Sequence, residues 1–292
     1  MIGCRLGLLA TLLCAGCIRA GFSGDQGQVH HDTQDQGRDR PVAGERHADL
    51  PGAREVHTPE AGPAFRPGAI VPLYADPDLG TSWKELVAAK ALHPSVPVIA
   101  VANISNGPGA KPSPPHLTGI ASLAAIGVTV IGYVNTNYGL RGAAVVQSDI
   151  DRWKTFYGNL GLSGIFLDQQ ATKVGLESYY ASLTAYAKGI GFTLVVGDPG
   201  TDPAPSYVGT VDTMLIYQGP GVPDLTSLEG WHLAHDRRNF GIVCYAVSPL
   251  DPSFVGEAKK RVGYVYVTDD GLPDPWDTLA PYFPALLAAL EP

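Results

Sequence analysis

From Ala69 onward, short unbroken apolar runs rich in β-branched residues alternate with longer stretches in which apolar positions recur every three or four residues. The first pattern predicts strands buried on both faces, and the second predicts helices that pack on them. Strands are expected over residues 69–74, 96–102, 128–134, 164–167, 192–196, 213–217, 240–247 and 262–267. Helices are expected over 82–92, capped by Thr81 or Ser82, and over 117–125, 148–157, 176–188, 225–236 and 252–260. A short helical turn near Pro205 follows the fifth strand, and a closing helix over 276–290 is interrupted near Pro281 and Pro284. Eight strands, each followed by a helical stretch, predict a (β/α)8 TIM barrel for residues 68–292. A doubly wound open sheet is the alternative, but the glycine fingerprint it would carry after its first strand is missing.

The fourth strand ends abruptly on Asp168, Gln169 and Gln170. Two readings stand for Asp168: a catalytic carboxylate delivered to the C-terminal rim of a barrel, or the N-cap of the next helix. The other strand ends repeat its polarity with Tyr74 and Asp76, Asn103 and Asn106, Tyr133, Asn135 and Asn137, Asp198, Tyr217 and Gln218, Tyr245 and Ser248, and Thr268, Asp269 and Asp270. Carboxylates, amides and aromatic faces around one mouth suit a carbohydrate, with acids for proton transfer, amides for hydroxyls and rings for sugar faces.

No cluster of His or Cys has metal-ligand spacing and no Ser elbow is present, so metallo-hydrolysis and Ser hydrolysis fall away and no cofactor is expected. His232 and His235, on the helix expected at 225–236, read as surface residues. The turn Asn103-Ile-Ser-Asn-Gly-Pro-Gly109 lacks the Lys-Ser/Thr ending of a phosphate loop.

Hydrophobic residues make up 45% of the 292-residue chain and charged residues 16%, enough apolar content for a sizeable core. The net charge of −8 argues against a nucleic-acid partner and is compatible with a neutral or cationic ligand. Residues 1–17 have the make-up of a leader, with Arg5, the apolar run Leu6 to Leu13 and small residues before Cys17. Leu13-Cys14-Ala15-Gly16-Cys17 resembles a bacterial lipobox, with Cys14 where Leu is usual, so Cys17 is the expected lipidation site of an exported protein held on a membrane by lipid alone. Residues 18–67 are polar and rich in Gly, Gln, Asp, Arg, His and Pro, and predict a flexible linker. Only Cys244 remains beyond the leader, so no disulfide framework is expected, and its apolar setting predicts a buried thiol.

Several of these stretches resemble the spherulin-4 family (spherulation-specific family 4). They are Val98-Ile-Ala-Val-Ala-Asn103 with Asn106-Gly-Pro-Gly109, the long third-strand motif Gly132-Tyr-Val-Asn-Thr-Asn-Tyr-Gly-Leu-Arg141, and Gly164-Ile-Phe-Leu-Asp168. Pro72-Leu-Tyr74 and Asp198-Pro-Gly-Thr201 match in outline. The resemblance implies a secreted TIM-barrel glycoside hydrolase cutting α-1,4-linked galactosamine polymers, with Asp168 at its centre. Three positions depart from the family pattern. Gln169 and Gln218 stand where Glu is common, and Asp198 stands where Asn is common.

The expectation is therefore a monomeric glycosidase acting on an amino-sugar polysaccharide, with Asp168 as nucleophile or base and Asp198 as its partner acid. Asp76, Asn103, Tyr133, Tyr138, Arg141, Gln169, Gln218 and Asp269 would hold the substrate. Tyr133 reads equally as core packing, and Arg141 equally as a structural ion pair. The alternative for the whole domain is a sugar-binding barrel that kept the cleft without the chemistry.

Overall fold

The apolar runs pair in sequential order as eight parallel strands, in a computed structural model that describes residues 65–292. The strands are β1 (Ala69–Leu73), β2 (Val98–Ala102), β3 (Thr129–Asn135), β4 (Leu162–Asp168), β5 (Leu194–Asp198), β6 (Thr213–Pro220), β7 (Phe240–Tyr245) and β8 (Tyr264–Val267). A parallel bridge between Gly68 and Tyr264 brings the first strand against the last and closes the circle. The Gly68 amide donates to the Gly263 carbonyl at 2.9 Å and the Val265 amide to Gly68 at 3.0 Å. The leader, Cys17 and all of the expected linker before Phe65 lie outside the described residues. Phe65 itself packs edge-on against Tyr264, with ring centres 6.0 Å apart, so the last residues of that expected linker belong to the barrel.

Helices cover the outside: α1 (Ser82–Leu92), α2 (Pro114–Ala125), α3 (Ala143–Tyr157), α4 (Glu177–Gly189), α5 (Pro252–Arg261) and α6 (Phe283–Leu290). Two expected helices differ. The stretch 225–236 folds as two 3-10 turns, Leu225–Glu229 and Trp231–Ala234, with Gly230 between them. Asp224 caps the first of these by accepting from the Thr226 amide at 2.9 Å. The closing helix begins only at Phe283, because Pro281 cannot sit inside a helix, whereas Pro284 falls in the first turn, where no amide is required. After β5 there is only the 3-10 turn Pro205–Tyr207, as expected.

The outer layer is pinned to the barrel by tryptophans. The Trp153 indole of α3 donates to the Tyr133 carbonyl of β3 at 2.8 Å, and the Trp83 indole of α1 donates to Ala75 at the same distance. Gly132 leaves room for the first: a Cβ there would stand 2.4 Å from the Trp153 ring, which is fully buried. Because β3 also carries Tyr133, this contact links the helical layer to the mouth of the barrel. Gly132→Ala should therefore destabilise the fold by about 1–3 kcal/mol, the usual cost of overpacking, measured as a lower urea midpoint with an unchanged slope.

Candidate active site

The register of three neighbouring strands sets the site. Asn135 of β3 pairs with Asp168 of β4, and Asp168 with Asp198 of β5, in one row at the C-terminal end of the barrel. Paired residues on adjacent strands lie about 4.8 Å apart, and their side chains leave the sheet on the same face. Helix α4 starts only at Glu177, so Asp168 caps no helix. Its Oδ2 instead accepts a hydrogen bond from the Tyr133 hydroxyl at 2.5 Å. The Tyr133 ring lies between Phe166, stacked at 6.2 Å, and Tyr74, edge-on at 5.7 Å. Packing and carboxylate contact thus coexist at Tyr133.

Burial pushes the Asp168 carboxyl up from its usual range, and the bonds from Tyr133 and the Gln169 backbone hold back part of that rise. Asp198 is pushed up much further, first by burial and then by the charge of Asp168. Only 3% of Asp198 is exposed. Its Oδ1 accepts from the Gly200 amide at 2.8 Å. The Gln218 amide of β6 is assigned with nitrogen towards Asp198, where it donates to Oδ2 at 2.5 Å and to Oδ1 at 3.2 Å. Turned over, the same amide presents its oxygen to a protonated Asp198, so Gln218 serves either form of the acid. Burial and the neighbouring carboxylates raise the hydroxyls of Tyr133 and Tyr74 in the same way.

The backbone here is held in less common conformations. Gln169 has φ 52°, and Asn106, Asn137, Tyr138 and Ala246 are also left-handed, all of them in loops at the mouth. The turn after Asp168 is tied down by Thr136, whose hydroxyl donates to the carbonyls of Asp168 and Gln169, each at 2.8 Å. The Tyr138 amide donates to Gln169 at 2.8 Å, and the Gln170 amide reaches the Asp198 carbonyl at the same distance. The Gln170 side chain is buried over Gly197, where a Cβ would stand only 1.7 Å from Oε1. Thr136, Gln170 and Gly197 were not among the expected site residues, although Thr136 lies within the third-strand motif and Gln170 in the polar end of the fourth strand.

The remaining sequence-predicted residues are spread around the mouth. Tyr138 is 54% exposed beside the Asp168 turn. Asn103 accepts from the Gly107 amide at 3.0 Å and shapes its own loop. Asp76 accepts from the Asp78 amide at 2.9 Å in a similar turn. Asp269 is exposed and lines a separate cleft with Glu85, Asp270 and Asp277. Arg141 is turned away: its guanidinium donates to the Asn135 carbonyl at 2.5 Å and pairs with Asp149 of α3 at 2.7 Å, which selects the structural reading.

His232 is a correction, since it is buried, stacked on Trp231 with ring centres 4.0 Å apart, and bonded to Asp202 at 2.8 Å. Cys244 is buried, and burial pushes its thiol up to about 12. Among the described residues, no group of three or more His, Cys, Asp or Glu side chains is placed to hold a metal.

Residues 68–290 match the model of the family described as Spherulin4, spherulation-specific family 4. The chain is 34% identical over 213 residues to Spherulin-4 of Physarum polycephalum, a match that takes in 68% of this chain and 62% of that protein. It therefore spans less than two thirds of its relative's length. Among solved structures, Aspergillus clavatus Sph3, crystallised in complex with GalNAc, superposes with a TM-score of 0.69 at 24% identity, covering 77% of this chain and 98% of that one. At that identity the superposition shows a shared fold.

An acid with a raised folded pKa binds its proton more tightly in the native state than in the unfolded one, so its contribution to stability is lost as pH rises from about 4 through the folded pKa. Asp198→Asn should accordingly stabilise the protein at pH 7 and have little effect at pH 4, in urea titrations at the two pH values. Tyr133→Phe removes a bond to the ionised form of Asp168 and should move that carboxyl's midpoint further up in a 13C NMR titration.

Proposed function

This chain belongs to spherulation-specific family 4, and on that footing we propose that it is a glycoside hydrolase acting on an amino-sugar polysaccharide. The observation that carries the reading is the in-register pair Asp168 and Asp198 at the barrel mouth, one half-buried carboxyl bonded to the Tyr133 hydroxyl and one fully enclosed. Glycosidases use one carboxylate to attack or to activate water and one carboxylic acid to protonate the leaving oxygen. Asp168, whose ionised form accepts the Tyr133 hydroxyl, is the nucleophile or base. Asp198, kept neutral by burial and by its neighbour's charge, is the acid, and Gln218 turns with it as the proton leaves and returns.

The substrate class rests on three supports: the family, the GalNAc bound by the Aspergillus clavatus protein, and the acidic mouth of this chain. Asp76, Asp269, Asp270, Asp274 and Asp277 lie in the loops after β1 and β8, where a polymer carrying free amino groups gains from them. The exposed ring of Tyr138 offers a face for a sugar, and Asn103, Gln169 and Gln218 offer amides for its hydroxyls. A second reading, a sugar-binding barrel without chemistry, is favoured by the enclosure of Asp198 and by the amide at Gln218.

The test is release of reducing ends from galactosamine-containing and N-acetylgalactosamine-containing polymers. Cleavage should vanish in Asp168→Asn and fall by about 10²–10⁴-fold in Asp198→Asn. The rate should decline at low pH as Asp168 takes up a proton and at high pH as Asp198 loses its own. Oligosaccharide binding without cleavage by the unmutated chain would establish the second reading instead.

The proposed setting is an exported protein held by lipid at Cys17, supported by the lipobox-like leader and the polar stretch that follows it. Cys17→Ser should abolish incorporation of labelled fatty acid in a bacterial host and move the protein from the membrane fraction to the soluble one.

A further inference from the structure

Charge is separated along the barrel axis. The mouth loops carry Asp76, Asp78, Asp269, Asp270, Asp274 and Asp277, and the opposite end gathers Arg66, Arg237, Arg238, Lys259, Lys260 and Arg261. Those six are nearly half of the fourteen Lys and Arg in residues 65–292. Arg66 precedes β1, Arg237 and Arg238 precede β7, and the other three end α5 just before β8, so the topology brings them to one N-terminal rim.

A groove there is lined by Phe65, Arg66, Arg237, Lys259 and Lys260. The guanidinium carbons of Arg237 and Arg238 lie 5.7 and 5.4 Å from the centre of the Phe65 ring. Arg237 donates to the Lys259 carbonyl at 2.6 Å, and the Lys259 ammonium donates to the carbonyls of Ala289, at 3.0 Å, and Glu291. Four acids stand among these cations: Asp236 pairs with Arg238, Glu257 with Lys260 and Arg261, Glu229 with Arg261, and Glu291, whose carbonyl meets Lys259, pairs with His93. Arg66, Arg237 and Lys259 form no ion pair among the described residues.

We propose that this end of the barrel is a docking surface for an anionic lipid bilayer, on which the domain stands with its mouth turned away. A cluster of cations spread over a rim, Arg66, Arg238 and Lys260 exposed and Arg237, Lys259 and Arg261 half-buried, suits a field of headgroups better than a single point ligand. The attraction to such a surface grows with each Lys or Arg and is screened within a Debye length. The chain also enters the barrel at this end, because Phe65 lines the groove. A tether through the residues before Phe65 therefore leaves the basic face free to meet the surface that holds it. This deepens the anchored reading of Cys17 and rests on it for delivery, while the charge pattern stands by itself.

The test uses the full chain carrying Cys17→Ser, so that no lipid contributes, sedimented with vesicles of phosphatidylcholine alone or with about one third phosphatidylglycerol. Binding is expected to the anionic vesicles only and to disappear at about 0.5 M salt. Arg66→Glu with Lys260→Glu changes two exposed side chains that make no hydrogen bond to the backbone, and should weaken partition at least about tenfold without altering the melting temperature. Lys84→Glu with Lys173→Glu makes the same change in charge at the mouth end and should leave partition near its original value.

Absence of binding to anionic vesicles, or equal weakening by the two pairs, would overturn the proposal. So would tighter binding to duplex DNA than to the vesicles at the same salt, which would make the patch a nucleic-acid surface. None of these results bears on fatty-acid labelling at Cys17, so the docking surface and the lipid anchor fail separately.

Discussion

Two carboxyls side by side under the barrel mouth, with no cation against either, are the constraint around which the site is arranged. Neither Asp168 nor Asp198 takes part in an ion pair among the described residues. Holding two adjacent carboxylates unpaired, one of them fully enclosed, favours a form in which one of the two carries a proton. The surroundings decide which. Asp168 keeps the Tyr133 hydroxyl, which favours its ionised form, and Asp198 is the more deeply enclosed. The ring packing of Tyr133, the Thr136 clamp on the backbone and the left-handed Gln169 all serve to keep that asymmetry in place. The arrangement favours a proton on Asp198 over one on Asp168, and among the described residues no group of three or more His, Cys, Asp or Glu is placed to hold a metal.

The geometry also relates the departures from the family pattern. Asp198 and Gln218 stand where Asn and Glu are common, and in the fold they touch across β5 and β6. The pair in this chain is therefore one carboxyl and one amide in contact. Gln169 is a different case. It sits in the turn immediately after Asp168, where its backbone conformation and carbonyl are used, and no neighbouring substitution returns a carboxyl there.

The fold was legible because buried parallel strands are nearly continuous apolar runs. All eight were expected within a few residues of where they lie. The two misjudged helices have local causes, Gly230 breaking one stretch and Pro281 delaying the other. At the site, strand ends named Asp168, Asp198, Tyr133 and Gln218 because a barrel delivers such residues to one rim. They did not reveal that Arg141 turns outward to Asp149, since a guanidinium on a flexible stem carries no directional signal in the sequence. Thr136 and Gln170 lay in stretches that stood out, but their roles did not, because they act by bonding backbone and filling space over Gly197, which no residue type advertises. Net charge was misleading in a similar way, because a total of −8 hides a basic rim at one end of the barrel.

The coupling between Asp168 and Asp198 is tested most directly by a 13C NMR titration of the Asp198 carboxyl in the unmodified protein and in Asp168→Asn. With the neighbouring charge removed, the Asp198 midpoint should fall, while remaining above the usual aspartate range because its burial is unchanged. An Asp198 midpoint near 4 in both proteins, within the ordinary aspartate range of about 3.5–4, would contradict the account and leave the site without its acid.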